Sequence, residues 1–201
     1  LVGNAGKDTL LGGDGADILQ GGLGADSLQG GNGDDSLEGG AGADTLSGGS
    51  GSDTASYASS ADAVVVSLTT GLGTGGDAAG DVLTSIENLT GSGNGDTLVG
   101  DSAANIIDGG SGDDWLVGLG GGDLLRGGAG VDTADYSASA SAVAINLATN
   151  SASGGDAQGD SFSSVENLVG SDGNDLLTGD TAANRLDGGA GDDALVGGAG
   201  A

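Results

Sequence analysis

From Gly12 to Ser47 the chain reads GGDGADILQ, GGLGADSLQ, GGNGDDSLE, GGAGADTLS, four consecutive nonapeptides of one pattern. Each runs Gly-Gly, any residue, Gly, any residue, Asp, any residue, a large aliphatic residue, any residue. One aliphatic position in nine cannot supply a thick globular core. It suits thin stacked layers, each burying one or two side chains against its neighbours. Composition agrees: the 201 residues include 48 Gly and no Pro, Cys, Met or His.

The period sets the organisation. Residues 1–56 form a first block, with six nonapeptides from Gly3 to Ser56. Five more fill 91–135, and three plus a truncated head fill 170–201. The segments between, 57–90 and 136–169, are copies of each other. A shift of 79 superimposes Tyr57 on Tyr136, Asp77 on Asp156, Asp81 on Asp160 and Glu87-Asn88-Leu89 on Glu166-Asn167-Leu168. Counting back from Gly91 puts Leu89 on the aliphatic position and Glu87 on the Asp position, and Leu168 and Glu166 repeat this before Gly170. These spacers are expected to continue the solenoid irregularly; the alternative is a small β-excursion packed on its side. The chain opens and closes inside repeats and is expected to be a piece of a larger protein.

Glycines in a six-residue turn allow positive φ without Cβ clashes. The next three residues form a short strand whose middle side chain points inward. Those inward residues are Leu10, Leu19, Leu28, Leu37 and Leu46, then Leu98, Ile107, Leu116 and Leu125, then Leu177, Leu186 and Leu195. Two nonapeptides make one 18-residue coil, so repeats n and n+2 stack and two parallel sheets face each other. Ala55 replaces the aliphatic residue where the first block stops. Tyr57 and Tyr136 are expected to cover exposed apolar edge, and the outward Trp115 to pack beneath a spacer.

Stacking aligns Asp8, Asp26 and Asp44 on one edge and Asp17, Asp35 and Asp53 on the other. Coils in register bring these carboxylates about one inter-strand spacing apart, roughly 4.8 Å. A chain of formal charge −27 would repel itself in that state, whereas a hard cation between the carboxylates reverses the sign. Ca²⁺ takes about 6–8 oxygen ligands and tolerates irregular geometry; Mg²⁺ demands a strict octahedron. Without His or Cys, soft-ligand metals have little to bind. The pairs expected are Asp8/Asp26, Asp26/Asp44, Asp17/Asp35, Asp35/Asp53, Asp96/Asp114, Asp114/Asp132, Asn105/Asp123 and Asp175/Asp193. About eight ions would bring the charge to roughly −11.

Departures weaken particular half-turns: Asn105 and Asn184 lose a charge, and Ala103, Ala182 and Asn94 stand at the fourth-position Gly. Glu87 and Glu166 are candidate partners for Asn105 and Asn184. Asp77, Asp81, Asp156 and Asp160 are open between a spacer metal site and turn polar groups.

These repeats resemble the RTX family of secreted, type I-exported bacterial proteins, and the spacers resemble those of its large members. The resemblance implies an all-β, right-handed parallel β-roll or β-helix solenoid with Ca²⁺ in its turns. It also implies a ligand set that joins Asp8 and the carbonyls of Asn4 and Gly6 to Asp26 and the carbonyls of Gly21 and Leu23. No base or activated nucleophile accompanies the Ser and Thr residues, so an enzyme is not expected. The partners expected are calcium ions and further copies, end to end or lateral, with neither nucleic acid nor membrane insertion. Folding on calcium outside the cell or at its surface follows. The role is then structural, in an adhesin, surface layer or filament, or else that of a C-terminal folding and export module of a secreted enzyme.

Overall fold

The structure, a computed structural model, describes residues 1–200. It forms two compact units, Leu1–Leu98 and the residues from Val99 onward. Among the described residues no helix is long and apolar enough to cross a membrane.

In the first unit the repeats form β1 (Val2–Ala5), β2 (Thr9–Asp14), β3 (Ile18–Leu23), β4 (Ser27–Asn32), β5 (Ser36–Ala41), β6 (Thr45–Ser50) and β7 (Thr54–Ser56). The first spacer adds β8 (Val65–Ser67), β9 (Leu72–Thr74), β10 (Val82–Thr84) and β11 (Asn88–Thr90), and β12 (Thr97–Val99) follows. Odd and even strands of the repeats separate into two sheets, each parallel with a register of 18. Leu10 stands beside Leu28 and Leu28 beside Leu46; Leu19 stands beside Leu37 and Leu37 beside Ala55. This is a β-roll solenoid, and Leu19, Leu28, Leu37 and Leu46 between the sheets are completely buried or nearly so. Most repeat strands are longer than the three residues expected, running on through the next Gly-Gly pair. The first Gly of that pair, such as Gly21 or Gly30, therefore lies on the inward face two residues after the leucine.

The spacer combines both sequence expectations. β11 continues the solenoid, parallel to β7 with Leu89 beside Ala55. β10 does the same on β6, with Leu83 beside Leu46. The larger Leu89 thus shares its layer with Ala55, which is fully buried. Between these coils and the start of the spacer, β8 and β9 form an antiparallel hairpin, and β9 also pairs antiparallel with β10. The excursion is built into the sheet rather than packed on its side, and Val64 and Val66 carry the core through it.

The second unit repeats this plan. Its strands are β13 (Ile106–Ser111), β14 (Trp115–Val117), β15 (Leu124–Ala129), β16 (Thr133–Asp135), β17 (Ala144–Asn146), β18 (Ser151–Ser153), β19 (Ser161–Ser163), β20 (Asn167–Val169), β21 (Leu176–Thr178), β22 (Leu186–Asp187) and β23 (Ala194–Val196). β19 and β20 continue the coils of β15 and β16 in parallel, while β17 and β18 form the hairpin.

Three expectations need correction. Tyr57 and Tyr136 do not lie over an edge: they are interior, 1% and 2% exposed. Trp115 is not covered, being 37% exposed, and its Nε1 donates to Asp135 Oδ2 at 2.9 Å. Leu195 is not enclosed in a core as the other inward residues are: it is 47% exposed.

Candidate metal centres

The repeat aspartates form columns joined through the backbone. The N–H of Asp8 donates to Asp26 Oδ1 and that of Asp26 to Asp44 Oδ1, at 2.8 and 2.7 Å. On the other edge Asp17 donates to Asp35, and Asp35 to Asp53, both at 2.8 Å. In the second unit the pairs are Asn105 to Asp123, Asp114 to Asp132 and Asp175 to Asp193, each at 2.9 Å. One carboxylate oxygen of each accepting residue is thus consumed in holding the next coil in register.

The other oxygen is the informative one. Oδ2 of Asp8, Asp17, Asp26, Asp35, Asp44, Asp53, Asp123 and Asp132 is buried with no hydrogen-bond partner. Each such oxygen costs ~1–3 kcal/mol or more when charged. Together they would consume the ~5–15 kcal/mol by which a domain is normally stable. These oxygens sit in the space left by the first Gly of each turn. A Cβ on Gly3 would lie 2.8 Å from Asp8 Oδ2 and 2.6 Å from the Gly21 carbonyl oxygen. On Gly21 it would lie 2.5 Å from both Asp26 Oδ2 and the Gly39 carbonyl oxygen. Carboxylate and carbonyl oxygens from successive coils therefore converge on one gap that only Gly leaves open.

The second and fourth turn positions aim further carbonyls along the stack. Those of Asn4 and Gly6 lie against Gly22 and Gly24, where any Cβ would collide with them. The Leu23 carbonyl, also expected as a ligand, accepts the Gly6 N–H at 2.8 Å and keeps its second lone pair. Hard oxygen donors, part anionic and part neutral, fit Ca²⁺. Among the described residues no three acidic side chains converge on one point, so backbone carbonyls are needed to complete any site.

Not every turn has this form. In the turns of Asp96 and Asp175 the second residue is Ser, and it is not left-handed. Its N–H turns inward and donates to the carboxylate Oδ2, at 2.5 Å from Ser92 and 2.6 Å from Ser171. The hydroxyls add bonds of 2.9 Å to Oδ1. Asp101 and Asp180 act likewise, their N–H groups donating to Oδ1 of Asn105 and Asn184 at 2.9 and 2.8 Å. These four turns satisfy their own acidic or amide side chain. Asn4 and Leu119 also replace Gly at the second position, yet keep φ of 77° and 64°, and the Oδ2 atoms of their Asp8 and Asp123 lack partners.

The spacers extend the columns. Asp81 Oδ1 accepts the Asp44 N–H at 2.8 Å, and Glu87 Oε2 accepts that of Asp53 at 2.9 Å. Asp160 and Glu166 do the same for Asp123 and Asp132. Asn184 meets Glu166 only through its backbone, donating from Nδ2 to the Glu166 carbonyl at 2.9 Å. Asp77 and Asp156 are not joined to the columns by these bonds, their N–H groups donating to the hydroxyls of Ser60 and Ser139. Their charges nevertheless act on the column ends, Asp77 on Asp44 and Asp81, and Asp156 on Asp123 and Asp160. Burial, reinforced by neighbouring carboxylates, pushes the Asp123 carboxyl up to about 7 and that of Asp81 up to about 6. It also raises Asp44, Asp53, Asp132 and Asp160 above the usual carboxylate range.

Columns of buried carboxylates between Gly-rich turns of a parallel β-roll define a calcium-binding repeat protein. The chain matches the family model described as the RTX calcium-binding nonapeptide repeat (4 copies) over residues 1–28, 20–55, 90–125, 108–138 and 169–201. It belongs to that family, whose nonapeptides bind Ca²⁺. No curated protein matches it.

Proposed function

We propose that this chain is an extracellular structural module that folds when calcium fills its turns, within a cell-surface, adhesin, surface-layer or filament protein. One observation carries the reading: the eight partnerless carboxylate oxygens named above occur only where coils stack. Their ligand sets are absent from the unfolded chain, so binding free energy becomes folding free energy. Asp8, Asp17, Asp26, Asp35, Asp44, Asp53, Asp123 and Asp132 supply the anionic ligands, with turn carbonyls such as those of Asn4, Gly6 and Gly21. Asp96, Asp175 and Asn105 hold their turns through internal hydrogen bonds instead. At low cytosolic calcium the charge of −27 keeps the chain extended, a state suited to type I export. The copied 79-residue period favours a role in spacing and assembly over an accessory role beside a catalytic domain. Circular dichroism of the metal-free chain titrated with calcium tests the coupling: β content rises with calcium and is lost on chelation. The same β content in both conditions sinks the reading.

A further inference from the structure

We infer that each spacer completes a calcium site of its own, formed by Asp53 with the Ser85 carbonyl and Glu87, and again by Asp132 with the Ser164 carbonyl and Glu166. The inference rests on the calcium reading above and extends it to residues outside the nonapeptides. Asp53 and Asp132 are fully buried, and Oδ2 of each has no partner. In the ordinary turns such an oxygen faces the first-Gly carbonyl of the repeat two further on, as Asp8 faces Gly21. Here no such repeat follows. The space above Gly48 is taken instead by the Ser85 carbonyl oxygen, and that above Gly127 by the Ser164 carbonyl oxygen.

Both serines hold a left-handed backbone, φ 49° and 51°, a conformation that is strained without Gly. It appears at the same place in both copies, in two separate units. The second ligand is substituted as well. Glu87 Oε2 takes the Asp53 N–H and Glu166 Oε2 that of Asp132, as an Asp Oδ1 does elsewhere in the column. In a nonapeptide the carboxylate follows its carbonyl by five residues, Gly21 to Asp26; in the spacers it follows by two, Ser85 to Glu87. The extra methylene of Glu spans what the shorter turn leaves out. An unrelated sequence thus rebuilds the same pairing of one carbonyl and one carboxylate opposite a buried, partnerless Asp oxygen.

Calcium stoichiometry by native mass spectrometry, on the wild-type chain and on Glu87→Gln with Glu166→Gln, tests this. Gln retains an acceptor for the Asp N–H, so the columns still stack. The expected result is a loss of two ions with the calcium-induced dichroism retained; an unchanged ion count overturns the inference. Should the variant fail to fold, anomalous scattering from calcium-loaded wild-type crystals decides. Peaks between Asp53 and Glu87 and between Asp132 and Glu166 support the inference. Ions between Asp17 and Asp35 without one at either spacer position overturn it alone, and no ions anywhere overturn the calcium reading itself.

Discussion

The Tyr57 hydroxyl donates a hydrogen bond to Asp81 Oδ2 at 3.1 Å, and the bond recurs between Tyr136 and Asp160 at 2.6 Å. Asp81 is completely buried and Asp160 nearly so. These aspartates end one column in each unit, and their second oxygen is closed by a phenol where that of repeat aspartates such as Asp26 and Asp44 has no hydrogen-bond partner. Burial and the adjacent carboxylate keep both phenols above their ordinary titration range, so they remain donors.

Replacing Tyr57 or Tyr136 by Phe removes the donor and keeps the ring. A buried acceptor is left short of a partner, which costs ~1–3 kcal/mol. Thermal unfolding at saturating calcium should show that loss for either single variant. A melting temperature unchanged in both would mean that the Tyr–Asp pairs do not stabilise the spacers.

Asp35→Asn should change sign with calcium. Asn retains an acceptor for the Asp17 N–H but removes a buried negative charge flanked by Asp17 and Asp53 along the column. In calcium the variant loses an anionic ligand and needs more of the ion to fold, a shift on the order of tenfold for ~1.4 kcal/mol. In chelator with trimethylamine oxide to favour compaction, it should fold at a lower osmolyte concentration than the wild type. Destabilisation in both conditions would deny that repulsion dominates the metal-free stack.

Acid should promote the metal-free fold. The folded carboxyls of Asp123 and Asp81 titrate at about 7 and about 6, above the unfolded value of ~3.9. The folded state then binds more protons than the unfolded one, so stability rises as pH falls through 7 and 6 and its penalty is greatest above 7. Dichroism of metal-free protein should gain β signal from pH 8 to pH 5, while calcium affinity falls over the same range. A β signal lost on acidification contradicts this sign.

Gly33→Ala and Gly93→Ala separate the fixed fourth position of a turn from the variable third. Gly33 has φ 122°, and a Cβ there would meet the Gly15 carbonyl oxygen at 2.5 Å. Strain and collision should cost at least ~1–3 kcal/mol and raise the calcium needed for folding. Gly93 lies in the turn closed by Ser92 and has open space around its Cβ position, so its variant should fold like the wild type. Equal calcium midpoints for the two variants would remove the distinction.

The stack of Leu10, Leu28 and Leu46 was legible because its signal is a fixed interval: 18 residues in sequence become one layer in space. The same interval revealed the pairs Asp8/Asp26 and Asp17/Asp35. It failed at the spacers, where Asp53 meets Glu87 across 34 residues and Asp44 meets Asp81 across 37, because a hairpin is folded into the count. Nor did it separate Asp96 from Asp26. What separates them is the backbone handedness of the second turn residue, and loss of Gly is an ambiguous marker of it. Ser92 turns its N–H inward, whereas Asn4 and Leu119 keep the left-handed form without Gly.

The first unit's columns run through three aspartates each before a spacer acid receives them: Asp8, Asp26 and Asp44 before Asp81, and Asp17, Asp35 and Asp53 before Glu87. A spacer therefore sets the length of an uninterrupted aspartate column: its acids, Asp81 and Glu87, take over the backbone bond where the 18-residue interval gives way to intervals of 37 and 34 residues.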